Sequence, residues 1–554
     1  MALLKSFLGQ YFMIAPTIAA TIKPITQGKL IIMSALFFTL FGNIEFFSNV
    51  IDTYKLSLDN LAFLLSTSIV LTSIIILLLT VFSSRYTSKL VIIGLFIFSS
   101  FASYFMNTYH IIIDDSMLQN VFQTDIFESF DLLSFSMVLY VLILGILPSL
   151  IVYRLEIIYM PVRQEIIYKV KTVLAILVII LILFFMFSKS YTSFLREHAQ
   201  LRWYTNPTYY IYSFGKYVGL NFSSGDMPLK PLGLDAKING NGEHGEKGEL
   251  IIMVVGEAAR ADRFSLNGYD RETNPLLKNE DLVSFSNMYS CGTSTAVSVP
   301  CMFSVYGRDD YSYKEALATE NVIDVLKHTK QVDILWRDNN SDSKGVATRV
   351  AYENFKDSSK NPIYDIEARD EGMLVGLDAY VKKRKGKDIF IVLHQMGNHG
   401  PAYYKRYPKS FEKFTPVCMT NQLENCTQEE VSNAYDNAIV YTDYFLAKVI
   451  TFLKQHSSTH ETAMIYMSDH GESLGENGLY LHGLPYFIAP DNQKHVGALM
   501  WFGTGMRERM NLDLLDTKEK FAQDNLFHTI LGLFEVDTKV YNKEKDILYK
   551  ATNG

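Results

Sequence analysis

Long runs of Leu, Ile, Phe and Val, broken by short polar segments, fill the chain up to about residue 190; beyond it the pattern becomes that of a soluble α/β domain. Five runs approach the ~20 apolar residues that a helix needs to cross a bilayer. They are Leu30–Val50, Leu61–Phe82, Leu90–Phe105, Phe135–Leu155 and Thr172–Ser188. A cleaved signal peptide would account for one of them, so five predict a multi-pass membrane domain. The aromatic stretch YTSFLREHAQLRWYTNPTYYIYSFGKYVGL comes next and predicts interfacial helices, with Trp203 and the tyrosines at headgroup depth. The Gly-, Pro- and Asn-rich segment NFSSGDMPLKPLGLDAKINGNGEHGEKGE then reads as a linker. The expected division is therefore a membrane domain over 1–190, interfacial helices and linker over 191–248, and a soluble domain over 249–554.

Within that last part, short continuous apolar runs recur: LIIMVV ending at Gly256, VDILW, DIFIVLHQ, TAMIYMSDH and ALMWFG. Helical patterns such as NAYDNAIVYTDYFLAKVITFLKQH alternate with them. Unbroken apolar strands alternating with helices predict a mostly parallel sheet covered on both faces. In such sheets ligands bind beyond the carboxyl ends of the strands, so the residues just after each run carry the interest.

Charge fixes the orientation. Lys5, Lys23 and Lys29 precede the first span, Arg85 and Lys89 follow the second, and Arg154, Arg163, Lys169 and Lys171 follow the fourth. Residues 106–134 hold no Lys or Arg but five carboxylates. The N-terminus is then inside and the large C-terminal domain outside. A formal net charge of −7 over 554 residues argues against nucleic acid as a partner. All four cysteines lie in the external part, and their close spacing in an oxidising compartment predicts two local disulfides, Cys291–Cys301 and Cys418–Cys426.

At the predicted strand ends stand Glu257, His394, His399, Asp469 and His470, with His482 close behind in SDHGESLGENGLYLHG. Carboxylate and imidazole groups converging from separate strands suit Zn²⁺ or another borderline divalent ion. The stretch SCGTSTAVSVPC brings hydroxyls on small side chains between two cysteines. A hydroxyl becomes a useful nucleophile when a base or a metal activates it. Spacing alone does not choose among Thr293, Ser294, Thr295 and Ser298, and a helix cap would use such residues as well.

VVGEAARADRFSLNGYDRETNP, CGTSTAVSVPCMFS, LWRDNNSDSKG, LHQMGNHGPAYYKRY, FTPVC and YMSDHGESLGENGLYLHG, with SMLQNVFQTDIFE in the membrane part, carry a specific resemblance over nearly the whole chain. It resembles the lipid A-modifying phosphoethanolamine transferases, the family that includes the mobile colistin resistance enzymes. The resemblance implies a five-helix transmembrane domain plus an α/β alkaline-phosphatase/sulfatase-like catalytic domain, in the inner membrane of a Gram-negative bacterium with the catalytic domain in the periplasm. It implies phosphoethanolamine transfer from phosphatidylethanolamine to lipid A through a phosphothreonine-type intermediate, release of diacylglycerol, and weaker attraction for polymyxins such as colistin. It makes Thr295 the nucleophile and, with Glu257, Asp469 and His470, a ligand of one tightly bound Zn²⁺. His399 and His482 match histidines placed near the phosphoryl group or a second zinc, either of which could protonate the leaving oxygen. Asn340 and Lys344 match residues that bind phosphoethanolamine, and Asn120, Thr124 and Glu128 match membrane-side substrate contacts. A monomer acting among membrane lipids is expected.

At spacings of four, Asn120, Thr124 and Glu128 would share one face of a helix, with Glu128 placed to pair with an ethanolamine ammonium. The chain departs from the family at Ala258, where a Thr is usual, and in SKNPIYDIEARDEG, where some relatives carry a third disulfide. Two rival readings fare worse. A sulfatase of the usual kind needs a C/S-x-P-x-R sequence that PCMFSVYGR lacks. A transporter would place ionisable groups deep in its spans, whereas the spans hold Glu45 beside Asn43 near an outer end.

Overall fold

The computed structural model describes residues 23–124, 126–224, 228–238 and 247–553, the side chains of 126–128 and 220–224 excepted. Two compact units emerge. Apolar helices up to Asp115, with Ser134–Gly215, form one; Ser116–Leu133, with the chain from Lys216 onward, forms the other.

In the first unit, Leu58–Phe82, Ser88–Tyr109, Phe135–Arg154 and Val162–Met186 are long and apolar enough to cross a membrane. A fifth crossing is a pair, Gln27–Phe41 and Ile44–Thr53, bent by 57°. The first predicted span is therefore broken, and the cause is Asn43. Its amide donates to the Phe38 carbonyl at 2.9 Å and the Asn206 carbonyl at 2.5 Å, and its oxygen accepts the Asn206 N–H at 2.8 Å. A polar side chain that ties two segments together in this way interrupts the helical ladder. The last span begins ten residues earlier than its apolar run suggests, because the polar turn before it stays helical, with Lys169 and Glu165 paired at 3.1 Å. Glu45 is buried beside His110, whose Nδ1 lies 2.7 Å from its carboxylate.

The second unit is built on a seven-stranded sheet. In chain order its strands are β1 (Gly248–Gly256), β2 (Leu282–Ser284), β3 (Val332–Asp338), β4 (Ala351–Asn354), β5 (Asp388–His394), β6 (His460–Ser468) and β7 (Ala498–Phe502). The spatial order is β2-β7-β6-β1-β5-β3-β4. From β6 to β4 the neighbours run parallel, while β7 is antiparallel to both β6 and β2. The five predicted runs are all strands. β1, β5 and β6 are buried almost throughout, and each side chain so buried contributes ~1.5–3 kcal/mol relative to exposure.

Register then aligns the strand ends. Gly256 lies opposite Ser468, Val255 opposite His394, and His394 opposite Asp338. Glu257, Asp469, Gln395 and Asn339 therefore leave the sheet side by side. The long helix Gln428–His456 opens with a Thr427–Glu430 capping box and supports this edge. Its Tyr435 hydroxyl donates to the Ala258 carbonyl at 2.6 Å and accepts the Arg260 N–H at 3.0 Å.

One expectation fails here. The helix Asp115–Gln123 stops before Thr124, and a separate short helix runs Ile126–Asp131. Thr124 Oγ1 donates to the Asn120 carbonyl at 2.7 Å, a local bond that competes with the backbone ladder. Asn120, Thr124 and Glu128 thus do not lie along one helix face; the Glu128 side chain falls outside the described residues.

Candidate active site

Thr295 opens the helix Thr295–Met302, and the Cys291–Cys301 disulfide ties the loop before it to the last turn of that helix. Its Oγ1 donates to Glu257 Oε2 at 3.2 Å and lies 3.3 Å from His470 Nε2. Of the other candidate hydroxyls, Thr293 Oγ1 turns away to donate to the Leu484 carbonyl at 2.7 Å. His470 Nε2 is 3.4 Å from Glu257 Oε1 and 3.4 Å from Asp469 Oδ2. All four side chains are buried.

The bonds behind this cluster decide what it can hold. His470 Nδ1 lies 2.8 Å from the Gly471 carbonyl, which can only accept. Nδ1 therefore carries the proton, and the Nε2 lone pair faces the two carboxylates. Burial pushes the His470 imidazole below its ordinary value, against the pull of Asp469. Asp469 Oδ1 accepts the Ala258 N–H at 3.1 Å and the His470 N–H at 2.7 Å. Its Oδ2 is buried, accepts no hydrogen bond, and points at the cluster. Ligand atoms of Glu257, Asp469 and His470 lie within 4.8 Å of one another. Lone pairs gathered so closely in a buried place repel unless a positive charge joins them. The N/O donor set fits a divalent cation.

Around this cluster the structure gathers the other expected residues unevenly. His482 packs against His470 at a tilt, with ring centroids 4.1 Å apart, and its ring centre stands 6.2 Å from that of His399. His399 is partly buried, and desolvation, with Arg406 nearby, holds its imidazole well below the ordinary histidine value. Asn340 donates its amide to Glu257 Oε2 at 2.8 Å and to the Gln395 carbonyl at 2.9 Å. Lys344 Nζ donates to the Gln123 carbonyl at 3.2 Å, and Gln119 donates to the Ala296 carbonyl at 3.1 Å, so residues 116–124 lie against the loops of the site. Thr124 and Asn340 line the same cavity, and Asn120 offers its carbonyl to Thr124. His394, the other strand-end histidine, stays inside the sheet, with Nδ1 2.9 Å from Asp338 Oδ2.

Some participants carried no signal in the sequence. Fully buried Glu472 holds His482 Nδ1 at 3.1 Å; only its place two residues after His470 could have flagged it. Asp370 accepts from Asn339 Nδ2 (2.8 Å), the Met396 N–H (2.8 Å), the Gly397 N–H (3.2 Å) and Gln395 Nε2 (3.2 Å). One carboxylate thereby clamps the loops after β3 and β5, from a segment without any apolar pattern. Both predicted disulfides are present, Cys291–Cys301 and Cys418–Cys426.

Comparison with known proteins fits this geometry. A sulfatase family model matches residues 249–536, and one described as phosphoethanolamine transferase EptA/EptB matches residues 71–222. Phosphatidylethanolamine transferase Mcr-1 of Escherichia coli is 43% identical over 525 residues, covering 93% of this chain and 96% of the relative. Phosphoethanolamine transferase EptA of Escherichia coli K12 is 38% identical, covering 94% and 96%. Among solved structures, the integral membrane lipooligosaccharide phosphoethanolamine transferase A of Neisseria meningitidis superposes with a TM-score of 0.91 at 32% identity, covering 96% of this chain and 99% of that one. With an apolar helical unit, a sulfatase-type sheet and a buried threonine among two carboxylates and an imidazole, the chain belongs to the phosphoethanolamine transferase family.

Proposed function

We propose that this protein transfers phosphoethanolamine from phosphatidylethanolamine to lipid A at the outer face of an inner membrane, with Thr295 as nucleophile and Zn²⁺ as the ion. The observation that carries the reading is the position of Thr295 Oγ1, 3.2 Å from Glu257 and 3.3 Å from His470. The names of the relatives, a phosphatidylethanolamine transferase and a lipooligosaccharide phosphoethanolamine transferase, support the donor and the acceptor class.

Glu257, Asp469, His470 and Thr295 would hold the ion, which when bound lowers the pKa of a hydroxyl beside it and offsets charge on a phosphoryl group. In the first step Thr295 Oγ1 forms a bond to phosphorus and the bond to the glyceride oxygen breaks. The Thr295 hydroxyl proton passes through the imidazole of His399 or His482 to the glyceride oxygen, which leaves as diacylglycerol; a neutral imidazole accepts a proton at one nitrogen and can release one to the leaving oxygen. In the second step an oxygen of lipid A attacks the same phosphorus and Thr295 is regenerated. Asn340 orients Glu257, and Lys344 adds positive charge near the phosphate. In-line positioning and charge stabilisation carry most of such a reaction.

The added ammonium on lipid A would weaken attraction for cationic peptides such as colistin. The basic loops support a cytoplasmic N-terminus and a periplasmic second unit.

Full-length protein in detergent, incubated with phosphatidylethanolamine and Zn²⁺, tests this by fragment-ion mass spectrometry. Phosphoethanolamine on Thr295 together with released diacylglycerol is the expected result. An adduct on Ser294 or Ser298, or none at all, overturns it.

A further inference from the structure

One step outward from Asn340 along the sheet edge lies a cavity of about 860 Å³. It belongs wholly to the second unit, and its inner end is Asn340, Ser341, Met396 and Thr124. Its outer end is built by β4, the edge strand paired to β3. Edge position leaves β4 exposed, so Tyr352 and Asn354 present themselves there without being needed by the core. Phe355 anchors the chain as it leaves β4: it is buried under the Arg337 guanidinium, 4.5 Å from its ring centre, and its N–H donates to the Asp338 carbonyl at 2.7 Å. The next residue, Lys356, lines the cavity. Tyr364, on the 359–372 segment, lines the cavity as well.

Other charges of the cavity hold its walls. Asp131 takes Lys405 and Arg406 at 2.5 Å each, and Arg406 also pairs with Glu367. These pairs tie the 116–133 segment and the 359–372 segment to the body of the unit.

We propose that the outer end of this cavity is the acceptor subsite, taking a phosphorylated sugar headgroup with Lys356 on its phosphate and Tyr352 and Tyr364 against its ring. The inference rests on the two-step transfer through Thr295. Two half-exposed aromatic rings, an amide and an ammonium are the groups that recognise a phosphorylated saccharide. The donor's leaving group, diacylglycerol, needs an apolar bed instead; Phe130 and Ile366, each 62% exposed, are too few to provide one. In a two-step transfer the acceptor enters only after diacylglycerol has left, so a path from Asn340 outward can serve both in turn. During transfer the acceptor oxygen forms its bond to phosphorus, the Thr295 Oγ1–phosphorus bond breaks, and the acceptor's proton ends on Thr295 Oγ1.

The test separates the half-reactions in the full-length enzyme. Diacylglycerol release from fluorescent phosphatidylethanolamine in one turnover reads loading; chase of the loaded enzyme with lipid A, or with dephosphorylated lipid A, reads transfer. Lys356→Ala is expected to leave the loading burst within about twofold and to slow transfer to lipid A about tenfold, the loss of one charge-assisted bond, while erasing the preference for the phosphorylated acceptor. Tyr352→Ala should likewise slow transfer alone, and Tyr352→Phe should restore it, since the ring is what is used. Loading that falls in parallel with transfer would make this a donor site and overturn the proposal. So would unchanged transfer with the phosphate preference intact. Absence of any adduct on wild-type Thr295 would sink the two-step reading itself, and the subsite with it.

Discussion

Asn340 donates its side-chain amide to Oε2 of Glu257 across 2.8 Å, joining the loop after β3 to the carboxylate that leaves β1. The same oxygen accepts the hydroxyl of Thr295, so the amide sets the direction in which Glu257 faces its neighbours. Partners of this kind behind a metal ligand typically carry 10–100-fold in metal affinity, a magnitude of about 1.4–3 kcal/mol.

Asn340→Ala is therefore expected to weaken Zn²⁺ binding about tenfold or more, read by competition against a chromophoric chelator. Asn340→Asp should be worse, because a carboxylate would then face a carboxylate at hydrogen-bond distance. If metal affinity is unchanged while KM for phosphatidylethanolamine rises, the residue serves the substrate alone.

Thr295→Ala removes the hydroxyl but none of the other three proposed ligand groups. Turnover and adduct should fall by more than about 10³-fold, as for removal of a nucleophile, while bound zinc stays near the wild-type level. Loss of zinc together with activity would instead identify a ligand whose role is to hold the ion.

Gly397 sits between Met396 and the His399 loop with φ +49°, and a Cβ there would come within 3.0 Å of the Glu257 carbonyl oxygen. Any side chain must strain that left-handed turn, at about 1–2 kcal/mol, and press on the backbone of a proposed ligand. Gly397→Ala is expected to lower both Tm and kcat. A change in Tm without a change in kcat would show that the loop yields without moving Glu257 or His399.

The difference between what was legible and what was not comes from burial. β1, β5 and β6 lie in the middle of the sheet, covered on both faces, so they read as unbroken apolar runs and their ends could be numbered. Glu257, Asp469 and His470 followed at once. β4 is an exposed edge strand and β2 is three residues long, so neither left a pattern. The bend at Asn43 and the helix stop at Thr124 depend on which carbonyl a polar side chain finds, Asn206 in one case and Asn120 in the other. The Asp370 clamp joins residues about 25–30 positions apart through polar atoms alone, and periodicity carries no record of that.

His528 provides a pH test remote from the proposed metal ligands. It is buried in the helix Leu526–Leu533, and its Nδ1 accepts the Asn542 N–H at 3.1 Å, which requires the unprotonated nitrogen. Burial, helped by Lys545, lowers its pKa from 6.5 to about 4. Between those values the unfolded chain binds a proton that the folded chain refuses, so this residue makes stability fall as pH drops through the window. Below about 4 both states are protonated and the loss is complete. His528→Asn retains an acceptor for Asn542 without a titrating group. Its Tm relative to wild type should therefore rise steadily as pH is lowered from 6.5 to 4, followed by thermal unfolding of the detergent-solubilised protein. A difference that stays constant with pH would mean that His528 is protonated alike in the folded and unfolded states.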